Sequence, residues 1–255
     1  MKNRGIMRGM VLMFALLLCS GGTGLFAQYG FECTYVGRDN GYLEKAYKKE
    51  KKEMDPLMEM LTKKLAESKT IYKLVFSEGK VLFRAVHSEG VKMNSQTIFY
   101  DMNLQTKWTE ETFMEKSFLV EEPLVQPEWE IREETRMIAG RLCSKAVLKG
   151  DTSNSLVAWF SPETPLPIGP AGLGGLPGII VQLEMLMMTY TMQEDLKPLE
   201  SAPELAPPTK GTKVTREEYL EIMKKKKGDA AVKSGFQENG VTSGGIQIQT
   251  IDIKL

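Results

Sequence analysis

The chain has 255 residues, with 33 Lys and Arg, 33 Asp and Glu and a single His, so its formal charge is zero. Without the first 27 residues, which hold three bases and no acid, 30 basic and 33 acidic groups remain, a net charge of −3. This balance offers no broad positive field for phosphates, which excludes nucleic acid as an expected partner. A composition of 42% hydrophobic and 26% charged residues is typical of a globular chain.

The first 27 residues have the pattern of an export signal. Three basic residues precede the apolar run 10–18, and Ala27 offers a small residue for cleavage before Gln28. The run is shorter than the roughly 20 residues that a spanning helix needs. We therefore predict a signal peptide over residues 1–27 and an exported protein, periplasmic or associated with the outer membrane. No later stretch is apolar enough to span a membrane, although an uncleaved N-terminal anchor stays open.

Cys19 raises the question of a lipoprotein signal. Leu18 precedes it, where lipoprotein processing requires a small residue, so we do not expect the lipidated form. Cleavage leaves Cys33 and Cys143, and an even pair in an oxidising compartment favours one disulfide, which would stabilise the fold by about 3–5 kcal/mol. The alternative of two buried free thiols stays open, because a domain of this size does not need a covalent staple.

Residues 41–68 are rich in Lys, Glu, Met and Leu and predict a helical segment at the N-terminal side of the mature chain. Asp55-Pro56 indicates the start of a second helix, with Pro56 in its first turn. Four apolar residues at helical spacing predict the face that packs on the rest of the protein. They are Leu57, Met60, Leu61 and Leu65.

Alternating and apolar runs from residue 70 to residue 196 predict strands joined by short turns. The strands are expected at 70–76, 81–86, 96–101, 105–109, 115–120, 128–135, 141–148, 156–160, 179–186 and 189–196. Turns are expected at Glu78-Gly79, Asn103 and Ala139-Gly140. The pattern predicts a single domain over residues 28–255 of the α+β class. A curved antiparallel sheet or half-barrel would be packed by one or two helical segments.

The C-terminal part begins with a proline-rich connector, residues 201–208. Thr215 and Glu218 then form the spacing of a capping box at the start of a helix. A final strand is predicted from the alternation of isoleucines near the end of the chain, which slips by one residue at Thr250. Its isoleucines are Ile246, Ile248, Ile251 and Ile253.

The loop between residues 162 and 178 is the least generic stretch, because prolines and glycines crowd between two predicted strands. Such a composition fixes a specific backbone path, and its glycines match no nucleotide-binding motif. The loop either lines a pocket or partner surface, with Leu173 at an exposed tip, or forms a structural corner of the sheet. The binding-loop candidates are Trp159, Gly169, Pro170, Leu173, Gly174, Gly175, Leu176, Pro177 and Gly178.

The motifs around this loop resemble those of the GLPGLI family, exported proteins of Bacteroidetes-type bacteria. They are Cys143-Ser144-Lys145-Ala146, Ala158-Trp159-Phe160, Gly169-Pro170 and Gly174-Gly175-Leu176-Pro177-Gly178-Ile179-Ile180. The resemblance is specific over about residues 129–181, and Ile179 replaces the Leu of the family motif. It implies an exported protein without an assigned activity, and it transfers no catalytic residue.

The sequence contains no recognisable catalytic constellation. His87 lies in a predicted hairpin, and Ser161 lacks the nucleophile elbow. We therefore expect a non-catalytic binding or accessory module with an apolar concave face, without a cofactor or metal. Its partner would be an unknown envelope protein or an apolar ligand. The alternative is a carboxylate-dependent hydrolase, for which abundant carboxylates are available. They are Glu121, Glu122, Glu130, Glu133 and Glu134.

Overall fold

The computed structural model describes residues 29–50, 53–91 and 96–233, with side chains described as far as residue 226. The predicted signal peptide and the predicted final strand at 246–253 lie outside these residues. The described chain is mainly β with three helices, in agreement with the predicted α+β class. The helices are α1 (Tyr42–Lys49), α2 (Pro56–Glu67) and α3 (Arg216–Lys233).

Thirteen strands form one large open sheet within the described residues. In chain order they are β1 (Phe31–Asp39), β2 (Lys69–Ser77), β3 (Lys80–Glu89), β4 (Thr97–Asp101), β5 (Thr106–Phe113), β6 (Lys116–Pro123), β7 (Trp129–Ile138), β8 (Arg141–Leu148), β9 (Val157–Ser161), β10 (Ile179–Glu184), β11 (Met188–Met192), β12 (Lys197–Pro198) and β13 (Thr212–Thr215).

The sheet consists of two antiparallel meanders joined side by side. Its strand order is β13-β6-β5-β4-β3-β2-β1-β11-β10-β9-β8-β7, with β12 paired to the beginning of β1. The pairing of β1 with β11 joins the meander β1–β6 to the meander β7–β11, with Tyr35 opposite Met192. One pairing corrects the prediction of a purely antiparallel sheet: β13 lies parallel to β6, so the sheet is mixed.

Local sequence explains two of the two-residue hairpins. Both residues of Glu78-Gly79 and of Ala139-Gly140 have positive φ, as the twist of a two-residue hairpin requires. The predicted turns at these positions are confirmed, as is Asn103 in the turn after β4, where its backbone N–H donates to the Asp101 carboxylate. Strand β1 is absent from the sequence prediction, although it occupies the middle of the sheet.

In the helical segment between β1 and β2, helix α2 begins where the sequence predicts it. The side chains that pack against the sheet are not the predicted ones. Asp55 caps α2 by accepting from the Met58 N–H at 2.9 Å, and Pro56 occupies the first turn. The predicted packing face is wrong in part, because Leu57 is 67% exposed and Met60 is 48% exposed. Met58 is the buried residue of α2, which packs against β1, and α1 has no buried residue.

The described cysteines are both buried and free. The structure therefore has the second of the two arrangements considered from sequence, and the expected disulfide between Cys33 and Cys143 is not present. Their strands β1 and β8 are four positions apart in the sheet, with β11, β10 and β9 between them. Burial raises the pKa of the Cys33 thiol to about 12 and that of the Cys143 thiol to about 11.

The third helix closes one end of the sheet. The predicted capping box is confirmed, because Glu218 N–H donates to the Thr215 hydroxyl and Thr215 N–H donates to the Glu218 carboxylate. Tyr219 of α3 packs edge-on against Phe118 of β6, beside Val214 of β13. Among the described helices, none has the length and apolar character needed to cross a membrane.

Candidate functional site

The proline- and glycine-rich loop between β9 and β10, residues 162–178, is exposed at its beginning and mostly buried from Ile168 to Gly178. Of the nine binding-loop candidates, only Gly175 and Pro177 are exposed. Leu173 is 9% exposed and belongs to a core cluster with Leu176, Phe160 and Ile180. The expectation of an exposed tip at Leu173 is therefore wrong, because this side chain fills space between the loop and the sheet.

Three loop glycines sit where a side chain would collide with backbone or core. A Cβ on Gly174 would meet the carbonyl oxygen of Pro167, and one on Gly178 would meet the carbonyl oxygen of Ser161. A Cβ on Gly169 would lie 2.7 Å from the Cβ of Ile180. Gly175 has a φ of 81°, which favours glycine for a different reason. The close approaches at Gly174 and Gly178 and the positive φ at Gly175 agree with the specific backbone path predicted for this loop.

Gly174 is held at both of its backbone groups by side chains from the segment that precedes and opens β7. Its N–H donates to the Gln126 side-chain oxygen at 2.6 Å, and its carbonyl accepts from the Trp129 indole N–H at 2.7 Å. Neither Gln126 nor Trp129 is predicted as a loop partner from the sequence. The available signal was Trp129 itself, because a partly buried indole N–H needs an acceptor.

The loop also reaches the other meander. A Cβ on Gly172 would lie 3.0 Å from a methyl carbon of Ile98, so the short turn Pro170–Gly172 lies directly against β4. At the end of the loop, the Tyr35 hydroxyl of β1 donates to the Ile180 carbonyl at 2.6 Å. Ile168 is fully buried in the largest core cluster with Tyr35 and Ile98. The loop is thus a packed junction between the two meanders.

Polar side chains from β7 and β10 contact Trp159. The Arg136 guanidinium stacks 3.8 Å from the centre of its ring and donates to Glu184 at 3.1 Å. The Glu184 carboxylate oxygen also accepts from the Trp159 indole N–H and from the Gln182 amide. These contacts tie β7 to β9 and β10. Trp159 is 6% exposed, so its role is packing and it offers no stacking surface to a ligand.

A partly buried ion-pair network joins α3 to the sheet. Arg216 donates to both carboxylate oxygens of Glu122, at 2.9 and 3.0 Å, and reaches Glu111 at 3.5 Å. Lys107 pairs with Glu122 at 3.1 Å. Burial raises the pKa of Glu122, but the hydrogen bond from Arg216 and the charges of Lys107 and Arg216 outweigh it, so the pKa is lowered.

Most of the carboxylates considered for a hydrolase are engaged in similar pairs. Glu121 binds Lys213 and the Trp108 indole N–H, Glu130 binds Arg132, and Glu134 binds Lys145. Glu121 and Glu122 are adjacent in β6 and point to opposite faces of the sheet. His87 is a surface residue of β3, 60% exposed and 3.8 Å from Glu89. No group of three or more potential metal-ligating side chains occurs in the described part of the chain.

The helices α1 and α2 form an exposed projection, which we define as the helical projection, residues 41–68. Three large apolar side chains of this projection are at least one-third exposed: Tyr42, Leu57 and Met60. A cleft of about 80 Å³ lies where the projection meets the end of β1, between Asp39, Glu44 and Thr62. It is too small for the 300–1,000 Å³ that is roughly typical of small-molecule sites.

Comparison with known proteins assigns no family. No protein-family model matches the chain, and no curated protein matches it. Two solved structures of PNGF-II, in different crystal forms, are similar with a TM-score of 0.46 and 13% sequence identity. The match covers 76% of this chain and 33% or 32% of theirs, so the chain spans about a third of their length. A likeness at this TM-score and identity assigns neither a fold nor an activity to this chain.

Proposed function

We propose that the chain is an exported, non-catalytic accessory protein of the bacterial envelope that binds a partner protein through the helical projection. The observation that carries the proposal is the exposure of apolar side chains on α1 and α2. Together these two helices have a single buried residue, Met58 of α2. The pattern of the N-terminal 27 residues supports export. The motifs around the loop support a relationship to the GLPGLI family.

The projection has the physical properties of an unpartnered helix pair. An eight-residue helix is marginal in water by itself, because most helix stability in proteins comes from packing of an apolar face. Helix α1 has eight residues, no buried side chain and no side-chain cap at Gly41. In α2, Leu57 and Met60 face solvent. A partner that covers these side chains would supply the apolar contact that the sheet does not provide.

A curved sheet, also part of the proposal, is supported by the length of one connection. Strands β6 and β7 are ten positions apart in the sheet order, which in a flat sheet corresponds to about 48 Å. The chain from Pro123 to Trp129 can span at most about 22 Å. A sheet bent back on itself satisfies both. The loop side chains Ile168, Leu173 and Leu176 are buried, which favours a filled concave side, so the partner surface is placed on the projection.

The experiment is a pull-down from envelope extract with the full chain as bait. The test variant is the pair Leu57→Asp and Met60→Asp, and the matched control is Leu104→Asp, because Leu104 is 68% exposed in the turn after β4 and Leu57 is 67% exposed. We expect a protein that wild type and Leu104→Asp capture and the test variant loses, at equal amounts of folded bait. Identical partner lists for all three baits would contradict the proposal.

Export is tested separately. We expect the N-terminal sequence of the protein recovered from the periplasm or envelope fraction to begin at Gln28. Recovery of the intact N-terminus in the cytoplasm would contradict this part of the proposal and leave the pull-down result unaffected.

A further inference from the structure

We propose that the C-terminal segment 245–255 of this chain adds to the open edge of β7 as an antiparallel strand. The segment lies outside the described residues, and its sequence is GIQIQTIDIKL. The proposal concerns an interaction surface and its occupant, and it does not depend on the proposed role of the helical projection.

Strand β7 presents a long open edge. It stands at one end of the strand order, pairs with β8 alone and has ten residues. All residues from Glu130 to Met137 are exposed. The opposite end of the sheet differs, because β13 has four residues and α3 packs against it. An edge strand carries a row of backbone N–H and C=O groups that can template another strand.

The exposed apolar side chains of β7 lie on one face, together with Glu133 and Thr135. Ile131 lies opposite Ala146, Thr135 opposite Ser144, and Met137 opposite Leu142. Because alternate residues of β8 share a face, the three β7 residues share one too. Ile131 is 53% exposed, Met137 64% and Leu142 50%, so apolar side chains at both ends of this edge have no cover from the described residues.

The segment has the length and pattern that this edge requires. Eleven residues match the ten of β7 when one residue is bulged out, and the alternation of isoleucines slips by one residue at Thr250. With Thr250 in the bulge and the strands antiparallel, Ile253 lies opposite Ile131 and Ile246 lies opposite Met137. All four isoleucines of the segment then lie on the face of Ile131 and Met137, with Ile251 opposite Glu133 and Ile248 opposite Thr135.

The charges of this register are complementary. Asp252 lies opposite Arg132, and Lys254 lies opposite Glu130. Arg132 and Glu130 already form an ion pair at 2.9 Å on β7, and the segment adds one partner of opposite sign to each. Cross-strand pairs of opposite charge stabilise an antiparallel ladder, whereas like charges destabilise it. The observed order of charges therefore selects this register.

The connection sets the reach of the segment. Helix α3 ends at Lys233, and the eleven residues 234–244 can span up to about 40 Å. Arg216 at the start of α3 is paired with Glu122 at the end of β6. The short connection 124–128 leads from there to β7. The linker starts at Lys233, and the register places Gly245 beside Ile138, about 30 Å along β7 from Trp129. The segment of the same chain is the occupant we assign, and a second copy is the competing outcome.

Hydrogen exchange tests the pairing directly. In the full chain, we expect the β7 amides that do not bond to β8 to exchange at least about tenfold more slowly than in a chain that ends at Gly244. Ile248→Lys should give the same loss of protection and serves if the shortened chain does not fold. Unprotected β7 amides in the full chain, or unchanged protection in both variants, would overturn the proposal.

Engineered cysteines test the register and the occupant. Ile131→Cys with Ile253→Cys should form a disulfide in a monomer under mild oxidation. The control pair Ile131→Cys with Ile246→Cys should not, since the register places these residues about 20 Å apart. The native thiols at Cys33 and Cys143 are buried and do not compete. Crosslinking of the control pair would refute the register, and a disulfide-linked dimer would show that a second copy supplies the strand.

Discussion

The loop 162–178 and the helical projection 41–68 are opposites in packing. The loop has no regular helix or strand beyond the turn Pro170–Gly172, yet its second part, from Ile168 to Gly178, is mostly buried and both backbone groups of Gly174 are hydrogen-bonded. The two helices of the projection, α1 and α2, contribute one buried side chain, Met58. Regular secondary structure and burial are therefore separate properties here, and stability should follow burial.

The largest contrast is expected between two leucines. Leu173→Asp places a carboxylate in a core cluster, which should cost about 4 kcal/mol or more in unfolding free energy. Leu57→Asp is its matched counterpart on the projection, where 67% exposure predicts a change within about 0.5 kcal/mol. Urea unfolding of both variants measures the difference. Equal midpoints would mean that the loop is not a packed junction.

Two glycine substitutions compare a packed with an unpacked position of the backbone. Gly174→Ala should cost about 3 kcal/mol, because its Cβ would meet the Pro167 carbonyl and neither backbone can move away easily. Gly140→Ala is the control, since Gly140 has a φ of 75° but nothing within 4 Å of an added Cβ. It should cost about 1 kcal/mol from the positive φ alone. A smaller effect at Gly174 than at Gly140 in thermal unfolding would contradict the close approach.

Helix α3 is intermediate in packing between the loop and the projection. It contacts the sheet through the ion pairs of Arg216 and through the buried ring of Tyr219. Arg216→Met should cost about 2 kcal/mol, because Glu111 and Glu122 lose a hydrogen-bonded cation while partly buried. The lowered pKa of Glu122 means that its contribution is complete above its usual value of 4.5 and is lost as pH falls through the folded-state pKa. Wild type should therefore lose more stability on acidification than Arg216→Met. Parallel pH profiles in urea titrations would rule out this linkage.

The smallest effect is expected from one hydrogen bond. Trp129→Phe keeps most of the ring but removes the donor to the Gly174 carbonyl, which should cost about 1 kcal/mol. Gln126→Ala removes the other Gly174 contact and should act similarly, with a cost above additive when both are changed. A double-mutant cycle by chemical unfolding measures the coupling, and strict additivity would mean that the two side chains hold the loop independently.

In the candidate site, the backbone path of the loop was predictable from the sequence, but the burial and partners of its side chains were not. Glycine and proline content predicted a specific loop path, and the close approaches at Gly174 and Gly178 agree with it. Exposure was assigned wrongly at Leu173, because composition restricts backbone conformation without stating what covers a side chain. The contacts of Gln126 and Trp129 with Gly174 join residues 48 and 45 positions apart, and no local pattern encodes that distance.

The helical projection shows the same limit in the other direction. Asp55, Pro56 and the apolar period predicted where α2 begins and that it is amphipathic. They could not predict that Met58 packs against β1 while Leu57 is exposed to solvent. The spacing of apolar residues defines an apolar face of the helix, but it does not define which part of the protein covers that face.

What the sequence by itself determined are the features set by interactions within a few residues. These include the positive-φ turns at Glu78-Gly79 and Ala139-Gly140, the capping box at Thr215 and most of the strands. Only the tertiary structure decided that β1 pairs with β11, that two cysteines stay apart as buried thiols and that the glycine-rich loop joins the two meanders. Those outcomes depend on long-range packing, in which many weak apolar contacts compete and the closest fit of distant segments prevails.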